Sequence, residues 1–382
     1  MKEKVNILFV VSEFYQAGAQ RFTYELDRTI DKSKFELSML SLLPLGHNPA
    51  WEDHYFNKHI ELGTKIFFLD DIATPFIPTI KQRIYRKIFN KPFPHEHKAL
   101  NDFLDSYDVI MFIGEYNYPA LARKLTPAVR AKTLINIHNS KHQKFDLYAN
   151  YDKDETHNFV SGFKDEEIKY ELSEFSHHTH TYLPLSIQIE ESERQWSYKH
   201  TDAPKIGIFT RITYTKPLDP FIYAFHTLLN DLPQAELHIF GTGDPQKEGV
   251  LKYLKHLGME HKVKFRGHQE NIKDTAIKEK LNLVWFHGYY GEPGGFAGFD
   301  ICSLGLPQLF WNFGDPTDNN VEVFPMYNNI NAFAQRTIKV LQDEEEANKL
   351  SISQYQYILD IRNIRKSIST LEALFFTFKS AK

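Results

Sequence analysis

Short apolar runs rich in β-branched and aromatic residues alternate with longer amphipathic stretches in two successive series, and that alternation constrains the fold of this chain more than any other feature. The first series reads Val5–Val11, Phe35–Leu43, Lys65–Leu69, Asp108–Ile113 and Thr133–His138. The second reads Lys205–Ile212, Glu236–Phe240, Val263–Arg266, Leu281–Phe286 and Pro307–Trp311. Runs of this kind suit strands buried on both faces, which is the situation in a parallel sheet with helical crossovers. The expectation is an α/β chain of two Rossmann-like, doubly wound parallel-sheet domains. Sheets of that type bind ligands outside the carboxyl ends of their strands, so function is sought in a central cleft faced by both domains.

A polar, charged stretch at about 190–204 separates the two series and reads as a linker. It divides the chain into a first domain, residues 1–195, and a second, residues 196–382. The final helices, about 355–382, are expected to pack back on the first domain. A length of 382 residues fits two such cores.

Composition excludes several classes. A net charge of -4 gives no global attraction for nucleic acid, so no nucleic-acid partner is expected. The single cysteine, Cys302, cannot form an internal disulfide, which suits a reducing cytoplasm. Val5–Val11 is too short to span a membrane, and no run of 18 or more apolar residues occurs. A cytoplasmic location is therefore expected, with any membrane contact peripheral. Ile80–Lys91 is the segment for such contact, because it carries five cations and no acid, with Ile80, Ile84 and Ile88 at helical spacing. The same pattern also suits a helix whose apolar stripe packs on the first domain while its cations face water.

Two segments of the second series carry chemistry. Gly291-Glu292-Pro293-Gly294-Gly295-Phe296-Ala297-Gly298-Phe299-Asp300 follows the strand ending near Phe286. An acid opens a glycine-rich loop, and a second acid follows eight positions later inside the expected helix. Glycines allow close backbone approach, and amides at a helix N-terminus donate to sugar hydroxyls or phosphate oxygens. The other segment holds Arg211 and Lys216 at the end of the first strand of the second domain. A guanidinium fork and an ammonium there can stabilise a diphosphate, whereas isolated surface cations of this kind are usually only solvated.

These residues resemble the donor-binding domain of the large retaining glycosyltransferase family four, over the run from Lys205 to Phe313. Arg211 and Lys216 match the Arg and Lys pair of that family. Ala235–Gly243 resembles its strand ending in Gly-x-Gly, here Gly241 and Gly243, and Val263–His268 resembles the strand and glycine, Gly267, beside the base pocket. Glu292 to Asp300 with Leu304-Gly305-Leu306-Pro307 resembles its E-x7-E signature and downstream Gly-x-Pro. In the first half, Ala17-Gly18-Ala19-Gln20 sits where the family has a Gly-Gly-x-Glu loop, and Ile135–Ser140 resembles the strand end bearing its active-site histidine, here His138. Asp300, Thr210 and Gln20 depart from the family pattern.

The resemblance implies the GT-B fold and transfer of a sugar, with retention of configuration, from a nucleotide-diphospho-sugar to a carbohydrate, glycolipid or other acceptor. It implies no cofactor and no metal. Glu292 would hold sugar hydroxyls and Asp300 the ribose. Gly294, Gly295 and Phe296 would offer backbone amides, Arg211 and Lys216 would hold the diphosphate, and His138 would lie near the sugar. Gly18, Gly241, Gly267 and His268 complete the expected donor site. The rivals are a catalytically silent homologue acting as a binding or chaperone subunit, and a sugar-nucleotide epimerase on the same fold.

Overall fold

The computed structural model describes residues 3–49, 51–72, 80, 84, 87–88, 97–139, 146–190, 192, 194–288, 295–313 and 323–380. The chain divides into two compact units, Met1–Gln188 with Ile364–Lys382, and Ile189–Asn363.

The first unit holds a seven-stranded sheet of β1 (Val5–Val11), β2 (Phe35–Ser41), β3 (Lys65–Phe68), β4 (Val109–Ile113), β5 (Thr133–Ile137), β6 (Thr156–Ser161) and β7 (His177–Tyr182). The order is β3-β2-β1-β4-β5-β6-β7, and every neighbouring pair is parallel. β4 and β5 are buried at every position, which explains their uninterrupted apolar sequences. β6 and β7 were not among the expected strands. Thr156–Ser161 and His177–Tyr182 are polar in sequence because β7 is an edge strand, exposed along its first half, and β6 lies beside it.

The core of this unit includes Leu8, Val10, Ile110, Phe112, Ile135 and Ile137. Helix Ile364–Ser380 closes it from the far end of the chain. Phe375 lies 5.9 Å from the ring of Phe35 and 6.4 Å from that of Phe9. The Asp31 amide donates to the Glu372 carboxylate at 3.0 Å, and Lys379 Nζ to the Lys4 carbonyl at 2.7 Å. Helix Gly18–Thr29 is held by a buried ionic cluster in which Asp27 accepts from His59 Nδ1 at 2.7 Å, from Thr64 and from Lys32.

The second unit holds six parallel strands, β8 (Lys205–Phe209), β9 (Glu236–Phe240), β10 (Val263–Gly267), β11 (Leu283–Gly288), β12 (Gln308–Asn312) and β13 (Met326–Tyr327). Their order is β10-β9-β8-β11-β12-β13. Trp285 on β11 anchors the core, stacked 6.0 Å from Phe221 and donating through Nε1 to Thr337 Oγ1 at 3.1 Å. Part of the expected linker belongs to this unit, since the amides of Gln195 and Trp196 both donate to the Leu304 carbonyl.

Each sheet is thus built outward from a central strand in one direction and then in the other. β1 neighbours β4, and β8 neighbours β11. These pairs are the topological switch points, where the loops after the two strands part and leave a crevice at the carboxyl edge.

Candidate functional site

The switch point of the second sheet gathers most of the expected donor residues. After β8 the chain passes directly alongside the loop after β9. The Thr210 amide donates to the Phe240 carbonyl at 2.9 Å, and the Ile212 amide to the Thr242 carbonyl at 2.7 Å. This seam needs the two glycines. A Cβ on Gly241, at φ +147°, would stand 1.7 Å from the Thr210 oxygen, and one on Gly243, at φ +120°, would stand 2.2 Å from the Ile212 oxygen. The Gly241 amide itself donates to the Gly267 carbonyl at 2.8 Å. Gly241 and Gly267 therefore serve the backbone seam, and Gly241 has no N–H left to offer a ligand. His268 follows β10 and is exposed.

The seam presents the two cations. Arg211 is exposed, and a tight turn, with the Lys216 amide donating to the Thr213 carbonyl at 2.9 Å, folds Lys216 back into a half-buried position. Burial, reinforced by the Arg211 charge, lowers the Lys216 ammonium from its ordinary range. Among the described residues neither cation has an acidic partner. Two like charges held close without an anion, one of them partly desolvated, make an electrostatic host for a doubly charged group.

β11 ends at the same crevice with a residue that sequence reasoning missed. His287 is buried, and its Nε2 lies 3.1 Å from the Pro217 carbonyl, so the neutral ring donates there. Burial holds its pKa down at about 4, with the nearby Lys216 charge acting in the same direction. A histidine inside an apolar strand looks like a core residue, and only the β8–β11 pairing reveals its place. Helix Gly295–Ser303 follows, with Gly295 at φ +63°, Phe296 edge-on to Phe299, and Asp300 buried in the second turn. Glu292 and Gly294 lie outside the described residues, as do Lys81, Arg83 and Arg86 of the basic segment; Ile80, Ile84 and Ile88 are exposed.

The switch point of the first sheet carries a different chemistry. Gly18 is the first residue of its helix, and Gln20 is buried with Nε2 donating to Glu13 Oε1 at 2.9 Å. His138 follows β5, its ring set edge-on against Phe22 at 5.7 Å. Its Nε2 is enclosed and unpartnered among the described residues. Burial pulls its pKa down to about 4 against the opposing pull of Glu115. Glu115, after β4, is also absent from the sequence reading. It is fully buried, and its carboxylate accepts from the His138 amide at 2.9 Å and from Asn139 Nδ2 at 2.7 Å, with no Lys or Arg pairing with it among the described residues. Its signal appears only once β4 and β5 are known to be neighbours. Among the described residues no three His, Cys, Asp or Glu side chains cluster with metal-binding geometry, and no helix is long and apolar enough to cross a membrane.

Two doubly wound parallel sheets in tandem, with a cation-bearing switch point in the second, define a glycosyltransferase fold of the GT-B type. Residues 189–357, nearly all of the second unit, match the family Glycosyl transferases group 1. A 153-residue stretch is 26% identical to the poly(glycerol-phosphate) alpha-glucosyltransferase of Bacillus subtilis (strain 168), covering 38% of this chain and 22% of that protein. The match thus spans about a fifth of the length of that relative. Among solved structures, TarM superposes with a TM-score of 0.70 at 11% identity over 98% of this chain and 99% of that one. Anabaena HepE in complex with UDP and glucose gives 0.63 at 11% identity over 96% and 98%. Sucrose-phosphate synthase from Thermosynechococcus elongatus gives 0.65 at 13% over 99% and 100%.

Proposed function

We propose that this protein is a glycosyltransferase that takes a nucleotide-diphospho-sugar and moves the sugar to an acceptor hydroxyl with retention of configuration and without a metal ion. The observation that carries the reading is the pair Arg211 and Lys216, without an acidic partner among the described residues, at the switch point of a sheet whose unit matches a glycosyltransferase family. As the bond from the anomeric carbon to phosphate breaks, negative charge grows on the leaving diphosphate. Preorganised cations in a partly desolvated site stabilise that charge without reorganisation. The acceptor oxygen forms the new bond to the anomeric carbon, and its proton passes to the departing phosphate, leaving nucleoside diphosphate as product.

In this reading Glu292 holds sugar hydroxyls and Asp300 the ribose. Gly294, Gly295 and Phe296 offer amides, and His138 with Gly18 serves the sugar side. HepE, of similar fold, was crystallised with UDP and glucose, which supports a nucleotide-sugar donor. The Bacillus relative is named an alpha-glucosyltransferase, and an α-linked product is what retention gives from an α-linked donor. The name of its acceptor, poly(glycerol-phosphate), supports a polyhydroxylated acceptor here.

The test is incubation with a panel of nucleotide sugars and polyol or glycan acceptors, following free nucleoside diphosphate and the anomeric coupling of the product by NMR. Release of nucleotide with an unchanged anomeric configuration is expected. Binding of nucleotide sugars with no release across the panel would overturn the reading in favour of a silent homologue. Interconversion of nucleotide sugars would overturn it in favour of an epimerase.

A further inference from the structure

The loop Thr210–Pro217 must hold two repelling cations in fixed positions, and the structure pins it at both ends. At its entry, the Thr210 and Ile212 amides are bonded to carbonyls at the end of β9. At its exit, Pro217 has no N–H, so its carbonyl is the one backbone group by which that residue can be anchored. The donor on that carbonyl is His287 Nε2, at 3.1 Å, reaching across from the end of β11.

The surroundings of His287 leave it little freedom. Its ring is edge-on to Phe221 at 4.9 Å and tilted against Phe313 at the same distance. Phe221 lies in helix Asp219–Leu228, which begins two residues after Pro217, so the ring bridges the loop and the helix that continues it. An aliphatic or aromatic residue could fill this space, as its neighbours Trp285 and Phe286 fill theirs, but could not donate to Pro217. A Lys or Arg could donate but would add a third cation beside Lys216. A buried neutral imidazole donates and adds no charge.

We infer that His287 is a positioning residue for the diphosphate site, fixing through the Pro217 carbonyl the turn that holds Lys216. This rests on the reading of Lys216 and Arg211 as diphosphate ligands, and the experiment separates the two. Nucleoside diphosphate affinity is measured by calorimetry for wild type, Lys216→Ala, His287→Phe and the double variant, using whichever of UDP, ADP, GDP or CDP binds wild type tightest. His287→Phe keeps an aromatic ring but removes the donor, and should weaken binding roughly tenfold, the scale of a lost hydrogen bond with some displacement of the cation. His287→Gln, whose amide can donate, should restore binding to within about threefold.

A histidine that merely packs the core would act equally whether or not Lys216 is present. One that positions Lys216 should have little further effect once Lys216 is Ala, so the two losses should not add. Should His287→Phe fail to fold, His287→Leu against His287→Gln gives the same comparison. An additive cycle, or normal affinity in both His287→Phe and His287→Leu while Lys216→Ala loses binding, overturns the inference and leaves the diphosphate reading standing. Normal affinity in Lys216→Ala, or no binding of any nucleotide by wild type, overturns the reading itself.

Discussion

At the switch point of the second sheet stand two cations, Arg211 and Lys216, with no acid to neutralise them among the described residues. At that of the first stand two carboxylates, Glu13 holding Gln20 and the buried Glu115 holding the backbone and neighbour of His138. The scaffolds are alike, with the same strand order through the first six strands of each. The difference therefore lies in what a few residues place at the same architectural position, and it teaches that architecture selects where a ligand can bind while local charge selects what can bind. In the proposed reading one edge serves the departing diphosphate and the other the sugar. Both edges share one device, a histidine kept neutral by burial, His138 in the first and His287 in the second.

The largest effect should come from erasing the charge contrast. Arg211→Ala and Lys216→Ala should each lower turnover between roughly a hundred- and a thousandfold, the scale of losing a preorganised electrostatic group. Glu115→Gln should leave nucleoside diphosphate affinity within about twofold of wild type. Steady-state kinetics and calorimetry on the three variants check this, and the contrast is broken if Glu115→Gln weakens nucleotide binding as much as the cation variants do.

The shared device is tested by acid. Between about pH 6.5 and 4 the unfolded chain takes up protons that folded His138 and His287 refuse. Their contribution to stability is complete above pH 6.5 and falls as pH drops toward 4, by roughly 3 kcal/mol for each. Urea midpoints at pH 7 and pH 4.5 should show a smaller acid loss in His138→Phe and in His287→Phe than in wild type. An unchanged loss in either variant would mean that the two edges do not share this property.

Within the second edge, Asp300→Asn should weaken nucleoside diphosphate binding by roughly 1.5 to 3 kcal/mol, the scale of a charged hydrogen-bonding partner. Glu292→Gln should spare that binding and lower turnover, because sugar contacts matter most as the anomeric carbon gains charge. The reverse pattern would exchange the two roles. The smallest effect should be that of excess EDTA, under which initial rates should stay unchanged if cations alone serve the diphosphate. Loss of activity restored by magnesium or manganese would show that they do not.

Much of this contrast was legible in the chain itself, for reasons that particular residues make plain. β9 was expected at Glu236–Phe240 and forms there, because Leu237, Ile239 and Phe240 are buried in a strand flanked by β8 and β10, with Gly241 directly after it. The place of Arg211 and Lys216 was legible because both follow directly on an apolar run that forms β8. β6, β7 and β13 were not: the first two are polar and lie at or next to an edge, and the third is only two residues long. Gly241 was expected to approach a ligand, whereas its φ and the 1.7 Å at which an added Cβ would meet the Thr210 oxygen reflect backbone meeting backbone. Glu115 and His287 gave no signal, since their partners lie 23 and 70 residues away in sequence and meet them only through strand order.

Helix Ile364–Ser380 has a consequence for synthesis. The strands of the first unit are made before those of the second, yet Phe9 and Phe35 find Phe375 only after the ribosome has completed more than three hundred further residues. Until then an apolar face of the first sheet stands uncovered, while Ile189–Asn363 has already been synthesised as a continuous stretch. The unit translated second can therefore finish folding first, and a chain truncated after residue 363 should carry a complete second unit beside a first one still open to chaperones and proteases.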